Sequence, residues 1–379
     1  MQVEQRVWTP NEEWQPALEA ASIGPAAQLV LLFAGLEQLR ASRCFEQVRA
    51  QYPEAHVIGC TTAGQIHDAH VTDETVTLTA VRFEHTRIDV ARVEVAGMDD
   101  SFAAGVRLAR ALEPRGLRHV LVLSEGLKLN ASELVHGIDS ELPESVTVSG
   151  GCAGDGNRLE TTYVWGGGEP SQSVVVALGL YGERLQVGVS AIGGFRPFGP
   201  DRVITRSNKN VLYEFDGRPA LALYKEYLGK YAAELPASGL MFPLELRKDE
   251  GGRCVLRALL SVDEAEQSIT YAGNVPEGSL ARFMFATIDD LIQSTHAATH
   301  ASVAGLAFPP QLSIVVSCNG RRYVMKQRTE EEIEAVREVL GQGTVVTGFY
   351  SYGEIAPAEG GRRSQLHNET MTITSLAES

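Results

Sequence analysis

Three times along the chain an apolar run ends in small residues, a helical stretch follows, and a second apolar run closes on glycine before another strand leaves. The first copy reads Leu29–Phe33, Val57–Gly64 and Thr75–Thr79; the second reads Val120–Ser124, Val146–Gly154 and Glu160–Val164. The third reads Leu312–Gly320, Val345–Gly353 and Glu369–Ile373. Between the strands, Leu36–Gln51 and Asp100–Leu112 carry apolar residues at helical spacing and stop before Pro53 and Pro114. Asn130-Ala-Ser-Glu133 has the form of a capping box. Ile88–Val95 alternates as a strand does, and Ser173–Leu180 with Leu185–Ile192 predicts a hairpin across Tyr181–Arg184. Gly193–Pro200 is dense in glycine and proline and predicts a boundary or crossover. Beyond it come a helix over Pro219–Tyr231, a hairpin of Phe242–Leu246 and Cys254–Val262 around Asp249–Gly252, and a strand over Ala281–Thr287. A helix over Asp289–Val303 and an acidic amphipathic helix over Thr329–Leu340 complete the pattern. The fold this implies is α/β and two-lobed, with mixed sheets built from repeated strand–helix–strand units and antiparallel additions.

Composition narrows the partners. The chain has 379 residues, enough for two domains each with a core, and is 44% hydrophobic and 21% charged, as soluble globular proteins are. A formal net charge of -15 repels phosphate backbones and anionic lipid, which argues against nucleic acid. No run approaches the ~20 apolar residues of a membrane helix, and the N-terminus lacks the apolar core of a signal peptide. Five widely spaced cysteines do not form a disulfide framework, so a cytoplasmic protein with reduced thiols is expected.

The corners carry the candidate chemistry. Small residues at a strand exit let a ligand approach backbone N–H groups. At the first corner Cys60, Thr61, Thr62 and Gly64 offer this, with two hydroxyls added; the Lys-Ser/Thr pair of a phosphate-binding loop is missing. The second offers Gly151, Cys152, Gly154 and the carboxylate of Asp155. The third is the most decorated, with Cys318, Arg321, Tyr350, Tyr352, Glu354, His367 and Asn368. Alternation sends Tyr350 and Tyr352 to one face. Arg321 beside Glu354 reads either as a structural ion pair or as a grip on a small polar ligand. Tight turns and small buried cysteines explain the same residues without a ligand.

Gly59-Cys-Thr-Thr-Ala-Gly-Gln-Ile66, Cys318-Asn-Gly-Arg321, Tyr352-Gly-Glu-Ile355 and Leu366-His-Asn-Glu-Thr-Met-Thr-Ile373 together resemble the FIST family, in the family's order and over almost the whole chain. The resemblance implies an N-terminal FIST domain over 1–200 and a C-terminal one over 201–379. It implies sensing of a small-molecule or gas ligand in bacterial signal transduction, coupled in trans to a histidine kinase or a cyclic-di-GMP enzyme, by a chain that an oligomer would also accommodate. Cys152 departs from the family's pattern, which has a small residue such as alanine there. A stand-alone chain of this size resembles the family's haem-binding nitric-oxide sensors, which implies haem b held by an axial ligand. The candidates are His367, His67 and His70 near the corners, and His296 and His300 at i and i+4 on one helix. Cys60, Cys152 and Cys318, one per copy, would hold an iron–sulfur cluster if they converged. An amino-acid-like ligand is the alternative to a gas. An enzyme would use Cys318 with His367 and Glu354, but no catalytic signature surrounds them, and a non-enzymatic sensor is expected.

Overall fold

The structure is a computed structural model and describes all residues except 12, 42, 248–253 and 359–360. In each copy the first strand (Leu29–Ala34, Leu117–Ser124, Leu312–Cys318) is buried along nearly its whole length, as an apolar run covered on both faces must be. Each runs parallel to the second strand of its copy (His56–Thr61, Thr147–Cys152, Val345–Ser351) across a helical crossover. On its other edge each pairs antiparallel with Val76–Arg82, Val174–Tyr181 or Met371–Glu378. An outer antiparallel strand follows: Gln2–Thr9, Arg87–Glu94 and Leu185–Ile192 respectively. Three sheets of one plan result. They face one another across a shared core containing Phe33, Leu123, Val176, Val316 and Phe349, with the Phe33 and Phe349 rings 4.8 Å apart.

The sheets are laced together by a cyclic exchange. The strand that leaves each corner joins a neighbour's sheet, always antiparallel: Gln65–His67 pairs with Val345–Ser351, Val164–Trp165 with His56–Thr61, and Glu354–Pro357 with Thr147–Cys152. Backbone bonds close the ring, Gly154 N to Thr61 O at 2.9 Å, Ala63 N to Tyr350 O at 2.8 Å and Cys152 N to Gly353 O at 2.8 Å. The three corners therefore meet at one end of the body.

One glycine recurs for a packing reason. A Cβ on Gly59, Gly150 or Gly348 would fall 1.8–1.9 Å from the carbonyl oxygen of Leu32, Val122 or Val315 on the parallel neighbour. The repeated glycine admits a close strand, not a ligand.

Several predicted elements resolve differently. Val174–Tyr181 and Leu185–Ile192 both form, but they are not a hairpin: the first has both edges taken inside the second sheet, and the second edges the third sheet. A local turn signal cannot register that both edges of a strand are occupied. Of Glu160–Val164 only Val164–Trp165 is strand, and Val174–Tyr181 takes its place in the second copy. Leu36–Gln51 divides into helices Leu36–Ala41 and Cys44–Gln51. The Asn130 side chain caps Ala131–Glu141, accepting from Glu133 N at 3.2 Å, but the Glu133 carboxylate turns to Asn274 at 2.7 Å, so the box is half made. A complete box, Thr287 with Asp290, opens helix Ile288–Val303.

Between the second and third copies, strands from Arg196 to Phe285 form a fourth, eight-stranded sheet with its own core around Phe215, Tyr224 and Phe283. There Leu244–Arg247 pairs with Val255–Arg257, whereas Leu259–Asp263 turns away to Ser268–Tyr271. The predicted turn Asp249–Gly252 lies outside the described residues. No helix among the described residues is long and apolar enough to cross a membrane.

Candidate functional site

Where the second and third corners face the lobe of the fourth sheet, a cavity of about 410 Å³ opens. Cys152 and Tyr352 come from the corners, Glu125 and Cys318 from the ends of two first strands, and Leu259 and Tyr271 from the lobe. Counting from the shared glycine's partner (Leu32, Val122, Val315) puts Gly35, Glu125 and Cys318 at one position of the repeat, so the strand ends themselves deliver side chains to the site.

Two buried thiols, Cys152 and Cys318, line the cavity, and two buried carboxyls stand behind its lining, Glu354 against Ser351 and Glu369 against Gly320. Burial pushes the Cys152 thiol up to about 12, although Ser124 Oγ donates to it at 3.3 Å. Burial raises the Cys318 thiol far above its usual range, and the Glu354 and Glu369 carboxyls nearby add to this. Glu354 is fully buried and accepts from Ser351 Oγ at 2.5 Å and Thr370 Oγ1 at 2.9 Å, yet burial still pushes it up to about 8. Glu369 is buried with a left-handed backbone (φ +58), and its carboxyl sits where a Cβ on Gly320 would be. Neither of its oxygens has a partner among the described residues; nor does Asn368 Nδ2 or the Tyr271 hydroxyl. Unpartnered buried polar groups are rare in folded proteins; of those among the described residues, Tyr271 lines this cavity, and Glu369 lies against its lining residue Gly320. Glu125 is different: its carboxylate is filled by Leu127 N and Lys128 N, both at 2.6 Å, and by Thr162 Oγ1 at 2.9 Å.

The other predicted residues lie elsewhere. Arg321 does not pair with Glu354. Its guanidinium, fully buried, meets Glu332 Oε1 at 2.6 Å from Nε, and donates to Leu291 O and Thr295 Oγ1 at 3.0 Å and to Gly193 O. Tyr350 Oη at 2.7 Å and Ser317 Oγ at 3.0 Å complete the shell of Glu332. The partner acid comes from the acidic helix Thr329–Leu340, on the crossover that follows Arg321. Cys60 belongs to the central core, one strand position away from the repeat equivalent of Cys152, and so points to the opposite face. Thr61 Oγ1 accepts Tyr163 N at 2.9 Å, and Thr62 lines a second, polar groove together with Asp155 and Arg322. A Cβ on Gly64 would meet Arg322, one on Gly154 the backbone of Ala63, and one on Gly151 the Val316 side chain, so these glycines serve contacts between copies. Asp155 accepts from Leu159, Glu160 and Thr161 N–H at 2.8–2.9 Å and from Tyr352 Oη. Burial would raise its carboxyl, but these bonds hold it below the usual range; it orders its own loop.

No histidine lines the cavity. His367 is buried with Nε2 3.2 Å from Ala356 O, and burial, helped by Arg257, holds it down to about 4. His67 is also held to about 4, by burial and then by His70, whose ring lies 5.7 Å away. His70 faces Glu330 at 3.4 Å, His296 faces Glu338 at 3.6 Å, and His300 is exposed. Among the described residues no group of three His, Cys, Asp or Glu side chains is placed to hold a metal ion, so Cys60, Cys152 and Cys318 do not converge as a cluster site. The cavity does not fit haem either. Among the described residues it offers no histidine, and no Lys or Arg lines it to meet the propionates. A protonated Cys318 without a histidine against it is the reverse of an activated nucleophile.

Glu125, Tyr271 and Glu369 were not legible as site residues. Superimposing the three copies at their glycines would have flagged Glu125 through Cys318; Tyr271 lies in the lobe and carried no signal.

A FIST N domain model matches residues 28–218 and a FIST C domain model matches residues 220–357. The chain is 25% identical over 368 residues to the uncharacterized protein Rv0628c of Mycobacterium tuberculosis, covering 94% of this chain and 93% of that protein. It is 24% identical over 387 residues to the uncharacterized protein Mb0898c of Mycobacterium bovis, covering 97% and 96%. Among solved structures, a cyanuric acid hydrolase from A. caulinodans superposes over 100% of this chain and 98% of its own at 8% identity with a TM-score of 0.38, a likeness that bears on neither fold nor reaction.

Proposed function

This chain belongs to the FIST family of small-ligand sensory domains, and from that premise we propose that its ligand enters the cavity between the glycine corners and the lobe of the fourth sheet. The observation that carries the reading is an apolar cavity walled by both matched domains, into whose lining the buried, unpartnered Tyr271 is built. A ligand there touches the second copy, the third copy and the lobe together. It would bias their relative set by as much as it prefers one arrangement over another. The altered outer surface is what a histidine kinase or a cyclic-di-GMP enzyme would read in trans. Since the lining does not suit haem, we take the ligand to be an organic molecule and not a haem-bound gas.

Two measurements test this. The absorption spectrum of the purified chain, before and after haem addition, is expected to show no Soret band; a band that shifts with nitric oxide would return the haem sensor. Ala272 lines the cavity, and Ala272→Trp is expected to abolish ligand-induced thermal stabilisation while leaving the unliganded melting temperature within a few degrees. Stabilisation that survives the filled cavity would place the ligand elsewhere.

A further inference from the structure

We infer that the ligand of this cavity is an uncharged molecule with an apolar body and one hydrogen-bond-accepting head; the inference rests on the reading of the cavity as the ligand site. The argument is a charge inventory. Among the described residues no Lys, Arg or His lines the cavity, and the one carboxyl that does, Glu125, is already saturated by two N–H groups and a hydroxyl. Behind the lining stand two more carboxyls, Glu354 and Glu369, with no ion pair to either among the described residues. An anion moved from water into this site would lose its hydration and meet no counter-charge, a cost of several kcal/mol or more. Carboxylates, phosphates and nucleotides are therefore disfavoured, and so is a free amino acid, whose carboxylate would lack a partner.

The apolar part of the ligand is read from the mouth. Met98, Leu159 and Leu260 are 53%, 48% and 40% exposed, the three most exposed large hydrophobic residues among the described residues. They come from three separate segments and all line this cavity. Scattered exposed leucines need no explanation, but a rim assembled from distant segments marks an apolar ligand's entry. The head is read from the floor. Tyr271 is completely buried, lines the cavity, and its hydroxyl has no partner among the described residues. A phenol with a raised pKa donates its proton; a ligand carbonyl or hydroxyl oxygen supplies the acceptor. A volume of about 410 Å³ falls within the ~300–1,000 Å³ of ordinary small-molecule sites.

The experiment is a fluorescence titration of the full chain with the neutral probe 1-aminoanthracene at pH 7.5, followed by displacement with 1-octanol and with octanoate, which share a chain and differ in charge. Saturable one-site binding is expected, with octanol displacing the probe and octanoate weaker by ~10-fold or more. Tyr271→Phe is expected to weaken octanol by ~5-fold, the worth of one neutral hydrogen bond, and Leu260→Asp at the exposed rim to weaken the probe. Octanoate displacing as well as octanol, with Ala272→Trp still blocking the probe, overturns the ligand class and leaves the cavity standing. A probe that binds undiminished to Ala272→Trp sinks the cavity reading and this inference with it. No saturable probe binding to the unaltered chain also overturns the inference.

Discussion

The third copy holds two buried acidic clusters, one finished and one open. Around Glu332 every group is matched: Arg321 neutralises it, and Tyr350 and Ser317 donate to it. Behind the cavity lining, Glu354 has hydroxyl donors but no ion pair, and Glu369 no hydrogen-bond partner, among the described residues. In sequence the two are equally rich in charge. Satisfaction separates them: the closed cluster fixes helix Thr329–Leu340 to the sheet, and the open one keeps its polar capacity for something outside the chain.

The largest effect is expected in the closed cluster. Arg321→Met leaves Glu332 buried without its counter-charge, a loss of about 3–5 kcal/mol, read by denaturant unfolding. An unfolding midpoint within error of the parent would mean that Glu332 is neutral in the folded state and that the two clusters do not differ. Next comes the glycine between them in kind. Gly150→Ala puts a Cβ against Val122 O with φ at +141, and a loss of roughly 2–4 kcal/mol is expected. A substitution tolerated without loss would mean that the close strand approach relaxes freely.

How far these clusters were visible beforehand follows from the range of each signal. Strand positions, crossovers and the threefold repeat were legible because burial on both faces writes itself as local apolar runs, as in Leu312–Cys318. Pairings were not: Val174–Tyr181 looked like half of a hairpin because sequence shows the turn and not the edges already taken. Cys152, Cys318 and Tyr352 line the cavity, since strand ends are where corners point. Arg321 was given the wrong acid because either carboxyl could reach it from another element, and only the folded chain turns Glu332 toward it. Tyr271 was missed for the same reason, the lobe being distant from every corner.

In the open cluster the sign of a pH effect discriminates. Glu354 titrates at about 8 when folded and near its ordinary value when unfolded, so between those two pH values the folded chain holds the extra proton. Stability therefore falls as pH rises through that window, by at most about 1.4 kcal/mol per unit. Glutamine mimics the neutral carboxyl, so Glu354→Gln is expected to match the parent near pH 5 and to exceed it at pH 8. Unfolding free energies that run parallel across this range would assign the slope to other groups.

The smallest effect is the sharpest test of the contrast. Asn368 Nδ2 is buried without a partner, and Oδ1 reaches only Ala258 N at a long 3.4 Å. Removing this amide breaks only the one long bond from Ala258 N, so the cost is small. Asn368→Leu is thus expected to leave stability within about 0.5 kcal/mol of the parent, where the equivalent removal of Arg321 costs several. A loss above about 2 kcal/mol would show that the Asn368 amide is as fully engaged as the Glu332 shell, and the distinction between a closed and an open cluster would not survive it.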